Sequence, residues 1–416
     1  MPDKFDLFQT ALAFSFAAGR AENIWGDKAA ITGFFDKALK SGGPCNVIRS
    51  ATTPRPDAVP SPLQVTGFLS AVGPKLLGEG WEIVWGPCVF ADPTRTLSPN
   101  RTCLANGMFV AYSHSANTYV VAISPTNFAS SYAFKMLDLD NAPDSAVNFP
   151  VDLSGAVVPR DGNNPGTMQL TGGTGLGVFN LCKMRDPRHD ADIATYLAGA
   201  TKDPATNLIF AGHSLGGALA PSLALQLHER LTRANWTPHR ILVLATAGAT
   251  PGNQKFAGEW AAKFHEMRVG AVNPENRLAH FGTLHWNRLD AVPHAFTNLH
   301  GPGEDDWNKA TRDDQVDCPL GTCTDLANIP ENLLTKGLQS NARTCDLSKL
   351  RDSPFTGRWP VNYWTDEGKK ATYQQPRSPL SYDDLTAAKP RAHMDQYLDF
   401  AGIDPWEISP PLVSPD

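Results

Sequence analysis

The chain has 416 residues, 42% of them apolar, which is ample for a large core. Charged residues make up 19% and the formal net charge is −6, so there is no basic surface for a polyanion and nucleic acid is excluded as a partner. No apolar run reaches the ~20 residues of a membrane span, so no transmembrane segment is expected.

The 34 glycines and 34 prolines imply many loops between short elements rather than a helical bundle. Leu7 to Ala18 is mostly apolar, but Asp3, Lys4 and Asp6 precede it and Gln9 and Thr10 interrupt it. It reads as a buried helix rather than a secretory signal, which favours a cytoplasmic address over a secreted one. Residues 1–60 read as helical and then irregular, with a loop at Thr53-Pro54-Arg55-Pro56 and Pro60; residues 62–80 suggest another helix. Residues 1–80 are therefore expected to form an N-terminal helical extension. Trp81–Trp85, Met108–Ser113 and Thr118–Ile123 read as strands.

Asn207–Ala211 is a short buried strand. Gly216–Leu231 follows with Leu219, Leu223, Leu227 and Leu231 at helical spacing. Arg240–Ala245 is a further strand, Phe256–Phe264 a helix, and Leu278–Arg288 contains another strand. This alternation predicts a single α/β domain, with a mostly parallel sheet and helices on both faces. Residues 300–376 break the rhythm with turns, three cysteines, the acidic stretch Glu304 to Asp317, and Trp307, Trp359 and Trp364. They read as a cap-like insertion packed on the core. The acidic stretch lacks the spacing of a calcium loop and reads as a solvated loop.

Seven cysteines leave at least one unpaired within the chain. Cys88 and Cys103 flank a loop that a disulfide would close, and Cys318 has Cys323 and Cys345 within reach. The simpler reading is reduced thiols, and the spacings do not form a zinc site. The triplets at Asn100 and Asn235 would be glycosylation acceptors only in a secreted chain.

Gly212-His213-Ser214-Leu215-Gly216 lies between a predicted strand and a predicted helix. That context suits a nucleophile elbow, where a sharp turn lifts a serine hydroxyl above the sheet edge and glycines avoid a clash. A serine hydroxyl needs a base, normally a histidine held by a carboxylate. Asp290 stands just past a predicted strand, before Ala291-Val292-Pro293. His294 and His300 lie too close to Asp290 in sequence to face it from a separate loop. His393, ahead of the helical stretch Met394–Phe400, is the expected base.

The ordered segments GHSLGGAL (Gly212–Leu219), TAGATPGNQKFA (Thr246–Ala257) and WNRLDAVP (Trp286–Pro293) resemble the class 3, fungal-lipase-like branch of the α/β-hydrolases. The second segment has an altered spacing. Gly177-Val178-Phe179 fits the start of the helix that precedes the nucleophile strand. The resemblance covers roughly residues 107–295 and the His393 region, and gives no reading of 1–80 or 300–376.

The resemblance implies two oxyanion donors: the backbone N–H of Leu215 and Thr126, in Ser124-Pro125-Thr126 where the family commonly has Arg-Gly-Ser or Arg-Gly-Thr. Pro125 cannot donate, so the role falls to Thr126, with Ser124 as its alternative. Phe128, Tyr132, Met136 and Leu139 then form either a lid or a buried core helix. The reading is a serine carboxylic-ester hydrolase without cofactor or metal, acting on acylglycerol esters at a lipid–water interface. Its rivals are a phospholipase A1, a feruloyl-type esterase, an acyltransferase, and a catalytically silent binding protein on the same scaffold.

Overall fold

The computed structural model describes residues 5–55, 57–78, 80–94, 101–133, 145–155, 157, 160–161, 166–264, 267–268, 280–287, 292, 352–355, 362–364, 370–372, 393–404 and 408. Helix α1 (Leu7–Ala17) opens with a capping box. The Gln9 N–H donates to Asp6 Oδ1 at 2.8 Å, and the Asp6 N–H donates to Gln9 Oε1 at 2.9 Å. Phe8 to Ala17 are all buried, so the apolar run that resembles a leader is here a core helix with no polar face.

The expected helical extension is in fact mixed. Strand β1 (Ile24–Gly26), helix α2 (Lys28–Leu39), strands β2 (Gly43–Arg49) and β3 (Ser61–Val65), and the short helix α3 (Phe68–Ala71) follow α1. The helix expected over 62–80 is confined to 68–77, where a π-helical turn (Gly73–Leu77) follows α3, because Leu63 and Val65 face the core from a strand and Gly67 caps the helix. Next come β4 (Trp81–Ala91), β5 (Thr102–Ser113) and β6 (Thr118–Ile123). A small sheet is built from β7 (Ser145–Asn148), β8 (Arg160–Asp161) and β9 (Gln169–Thr171).

Helix α4 (Gly172–Lys183) is capped by Thr171, so Gly177-Val178-Phe179 lies in mid-helix rather than at a helix start. The hairpin β10 (Arg185–Asp186) and β11 (Ala191–Asp192) leads through α5 (Ile193–Gly199) to β12 (Asn207–His213) and α6 (Leu215–Arg233). After these come β13 (Ile241–Thr246), α7 (Gln254–Lys263), β14 (Met267–Arg268), β15 (His280–Phe281) and β16 (Thr283–Asn287). The last elements are β17 (Asp352–Phe355), β18 (Asn362–Trp364), β19 (Lys370–Thr372) and α8 (Asp395–Phe400).

Among the described residues the main sheet runs β17-β16-β13-β12-β6-β5-β1-β2-β3, and β4 pairs with β5 at Leu104–Ser113, beyond the stretch that pairs with β1. The β6, β12, β13, β16 and β17 block is parallel, and β1–β5 pair antiparallel. β17 belongs to this sheet, so residues 352–355 of the expected insertion are part of the core scaffold rather than a cap upon it. Cys88 is a free thiol opposite Met108, while Cys103 stands opposite Trp25, so no disulfide joins them. Cys318, Cys323, Cys345 and the stretch Glu304 to Asp317 lie outside the described residues.

Every residue of β6, β12 and β13 except Asn207 is buried, as a parallel sheet covered on both faces requires. The alternation is strict. Phe109, Val120, Ile209, Ala211, Leu242 and Leu244 meet α1 and α2 in one core, while Val110, Val121, Leu208, Phe210 and Val243 meet α4, α6 and α7 in the other. No described helix is long and apolar enough to cross a membrane.

Candidate active site

Ser214 joins β12 to α6 with φ 58° and ψ −125°, a backbone conformation that side-chain-bearing residues rarely adopt. The turn is held from within and from the sheet. The Ser214 N–H donates to Thr246 O at 3.0 Å, and the Gly217 N–H donates to Ser214 O at 2.8 Å. The glycines are a steric requirement. A Cβ on Gly212 would collide with the backbone of Gly216, and one on Gly216 would stand 2.5 Å from Ile123 O. Leu215 opens the 19-residue helix α6, so its N–H sits at the positive end of a helix dipole.

His393 approaches from just ahead of α8, and its Nε2 lies 2.8 Å from Ser214 Oγ. With the hydroxyl donating and Nε2 accepting, this is the distance and direction that a nucleophile–base pair requires. The structure thus brings these two sequence-predicted residues together. Asp290, His294 and His300 lie outside the described residues. Strand β16 ends three residues before Asp290, in parallel register beside β13.

His213 supports the pair from behind, a position that sequence reasoning did not single out. It is fully buried, its Nδ1 lies 3.0 Å from Thr246 Oγ1, and its ring centre lies 5.0 Å from that of His393. Phe16 of α1 packs against it at 4.5 Å and Tyr397 of α8 meets it edge-on at 5.2 Å. Burial, and then the neighbouring His393, hold the His213 imidazole well below its ordinary range, so it stands neutral beside the site. Its place inside the motif was the only signal available in the sequence.

The loop after β6 brings Thr126 into a buried position. The Ser124 N–H donates to Gly107 O at 2.9 Å and its hydroxyl accepts from the Gly107 N–H at 2.8 Å. The Ser124 N–H is therefore committed to β5, which favours Thr126 as the backbone donor. Beyond it Phe128 is 64% exposed, whereas Tyr132 is buried against Phe90. Asp92 anchors this stretch by accepting from Ser130 Oγ at 2.7 Å and from the Tyr132 N–H at 3.1 Å. Burial pushes the Asp92 carboxyl up, but hydrogen bonds from Thr94, Ser130 and Tyr132 outweigh it and hold the group below its usual range. Met136 and Leu139 lie outside the described residues.

A mostly parallel sheet, helices on both faces and a serine on a strained strand–helix turn define an α/β-hydrolase. The M37 lipase structure shares this fold, at 17% identity over 97% of this chain and 96% of that one, with a TM-score of 0.56. The Rhizomucor miehei triacylglyceride lipase overlaps partially, at 19% identity over 54% of this chain and 64% of that one, with a TM-score of 0.33. A lipase from Rhizopus microsporus var. chinensis is 18% identical over 54% of this chain and 57% of that one, with a TM-score of 0.32. No curated protein matches the chain. Residues 189–297, which carry the elbow, match the family model described as Lipase (class 3).

Proposed function

We propose that the protein is a serine carboxylic-ester hydrolase that cleaves lipid esters, acylglycerols in particular, through a Ser214 acyl-enzyme. The observation that carries this reading is the 2.8 Å contact between His393 Nε2 and Ser214 Oγ at a strained elbow. His393 takes the hydroxyl proton as Ser214 attacks the ester carbonyl. The backbone N–H of Leu215 and the loop at Thr126 receive the oxyanion, and Asp290 orients the imidazole and stabilises its charged form. His393 then protonates the leaving alcohol, and water repeats the cycle on the acyl-enzyme.

Lipid preference is supported by Phe128, exposed two residues beyond Thr126, and by the family of the matching segment. Ser214→Ala and His393→Ala should each lose at least ~10³-fold in kcat and, for the serine variant, all labelling by a fluorophosphonate probe. A fully active Ser214→Ala protein, or His393→Ala with near-parent activity, overturns the mechanism. Activity on long-chain esters should rise more than in proportion once the substrate forms an emulsion, and Phe128→Ser should weaken that rise. A profile peaking at acetate, with no change across the solubility limit, would point instead to a small-ester or feruloyl-type esterase.

A further inference from the structure

The loop Ser124-Pro125-Thr126-Asn127 contains no glycine, yet it must present Thr126 at a fixed point. Its first residue is fastened to β5 by the reciprocal Ser124–Gly107 pair. Its last residue, Asn127, is fully buried and its amide faces three backbone groups. The Asn127 Nδ2 donates to Leu104 O at 2.8 Å, while Oδ1 accepts from the Asn23 N–H at 3.1 Å and from the Ala129 N–H at 3.1 Å. Asn23 holds φ 61°, the left-handed region, which ends the turn after α1 and points its N–H at this loop. Between the two fastenings, Pro125 has a fixed φ and no N–H, and it rests on Gly19, where a Cβ would stand 3.1 Å from Pro125 Cγ.

We propose that Asn127, with the Gly19–Asn23 segment it binds, is a positioning device for Thr126. Residues beyond the segment that matches the family thereby hold the oxyanion-binding loop in its working geometry. This rests on the assignment of Thr126 under the proposed function. The chemistry selects asparagine. One end of the side chain must donate to a carbonyl while the other accepts from two N–H groups. An aspartate would set a carboxylate against Leu104 O, and an aliphatic side chain would leave Leu104 O and the Asn23 N–H unpaired in the core. An oxyanion site gains its effect from donors that need no rearrangement as charge develops, so loosening this loop weakens transition-state binding more than substrate binding.

The test is kcat and KM for a soluble p-nitrophenyl ester, with the affinity of a trifluoromethyl ketone that forms a tetrahedral adduct on the serine. Asn127→Ala is expected to lower kcat ~10–100-fold with KM within about twofold, and to weaken the ketone by the same factor as kcat/KM. Gly19→Ala keeps the Asn127 and Ser124 hydrogen bonds; its methyl group displaces the Glu22 side chain, 2.5 Å away, and presses on Pro125 Cγ at 3.1 Å, and it should lower kcat and ketone affinity together by several-fold. A role confined to folding would lower the melting temperature and leave kcat and ketone affinity intact below it. Folded Asn127→Ala with parent kcat and ketone affinity overturns the proposal; should that variant not fold, parent values in Gly19→Ala overturn it. Ser214→Ala assayed in parallel separates the two readings. An active Ser214→Ala protein removes the proposed function, whereas an inactive one beside an unaffected Asn127→Ala removes only the positioning role.

Discussion

At Ser214 the backbone is held at φ 58°, which a serine adopts only because Thr246 O and Gly217 N fix it on both sides. Such a conformation costs ~1–3 kcal/mol for a residue with a Cβ, and glycine escapes most of that cost. Ser214→Gly should therefore raise the melting temperature in calorimetry while abolishing ester hydrolysis; a lower melting temperature would refute the strain account. Glu22 lies in the turn after α1, with Oε1 near Gly19, and it makes no ion pair with any described residue. Burial pushes its carboxyl up from its ordinary 4.5 to about 8. Between those values the folded chain binds the proton more tightly than the unfolded chain. Glu22 therefore contributes fully below about 4.5, and its contribution is lost as pH rises through about 8. Urea unfolding of Glu22→Gln across that window should decline less with pH than unfolding of the parent.

The elbow works as an element because β6, β12 and α6 approach without side chains between them. Adding a methyl group at Gly216 places it 2.5 Å from Ile123 O and 3.0 Å from Ser124 O, both backbone atoms with no freedom to yield. Gly216→Ala is expected to cost ~1–3 kcal/mol in urea unfolding and to lower kcat, because the displaced atoms lead into the Thr126 loop. This element was legible in the sequence. A buried strand, a glycine-flanked serine and leucines at helical spacing agree with one another, and the structure returns β12 and α6 within one or two residues of the expected bounds.

What was not legible had weaker local signals. β2 buries only the adjacent Val47 and Ile48, without the alternation of a half-buried strand, and Gly43 and Pro44 at its start suggest a loop. β17 is Asp352-Ser353-Pro354-Phe355, with no β-branched residue, and only its pairing with β16 makes it a strand. The glycines from 172 to 177 resemble a loop, yet Thr171 caps a helix there and Gly177 leaves room for Leu219 of α6. His213 and Asn127 act through partners more than 30 and more than 100 positions away, Thr246 and Asn23 respectively, which no local pattern reveals.

Across the whole molecule, the sheet separates two main cores, and α1 with the turn that follows it meets each part of the site from one of them. Phe16 packs on His213, Gly19 lies under Pro125, and the Asn23 N–H reaches Asn127. The same segment, residues 8–20, also binds Phe400, Ala401 and Ile408. Gln9 Nε2 donates to Ala401 O at 2.7 Å, Arg20 donates to Ile408 O at 3.0 Å, and Phe8 meets Phe400 edge-on. These bonds span 392 and 388 positions. During synthesis, α1 and the serine elbow leave the ribosome long before the residues that complete them. The nascent chain therefore carries Ser214 without His393, and an apolar helix face without its cover, until residues 393–408 have been added. A truncated product would expose that face, which makes it a substrate for chaperones and proteases rather than a weak enzyme.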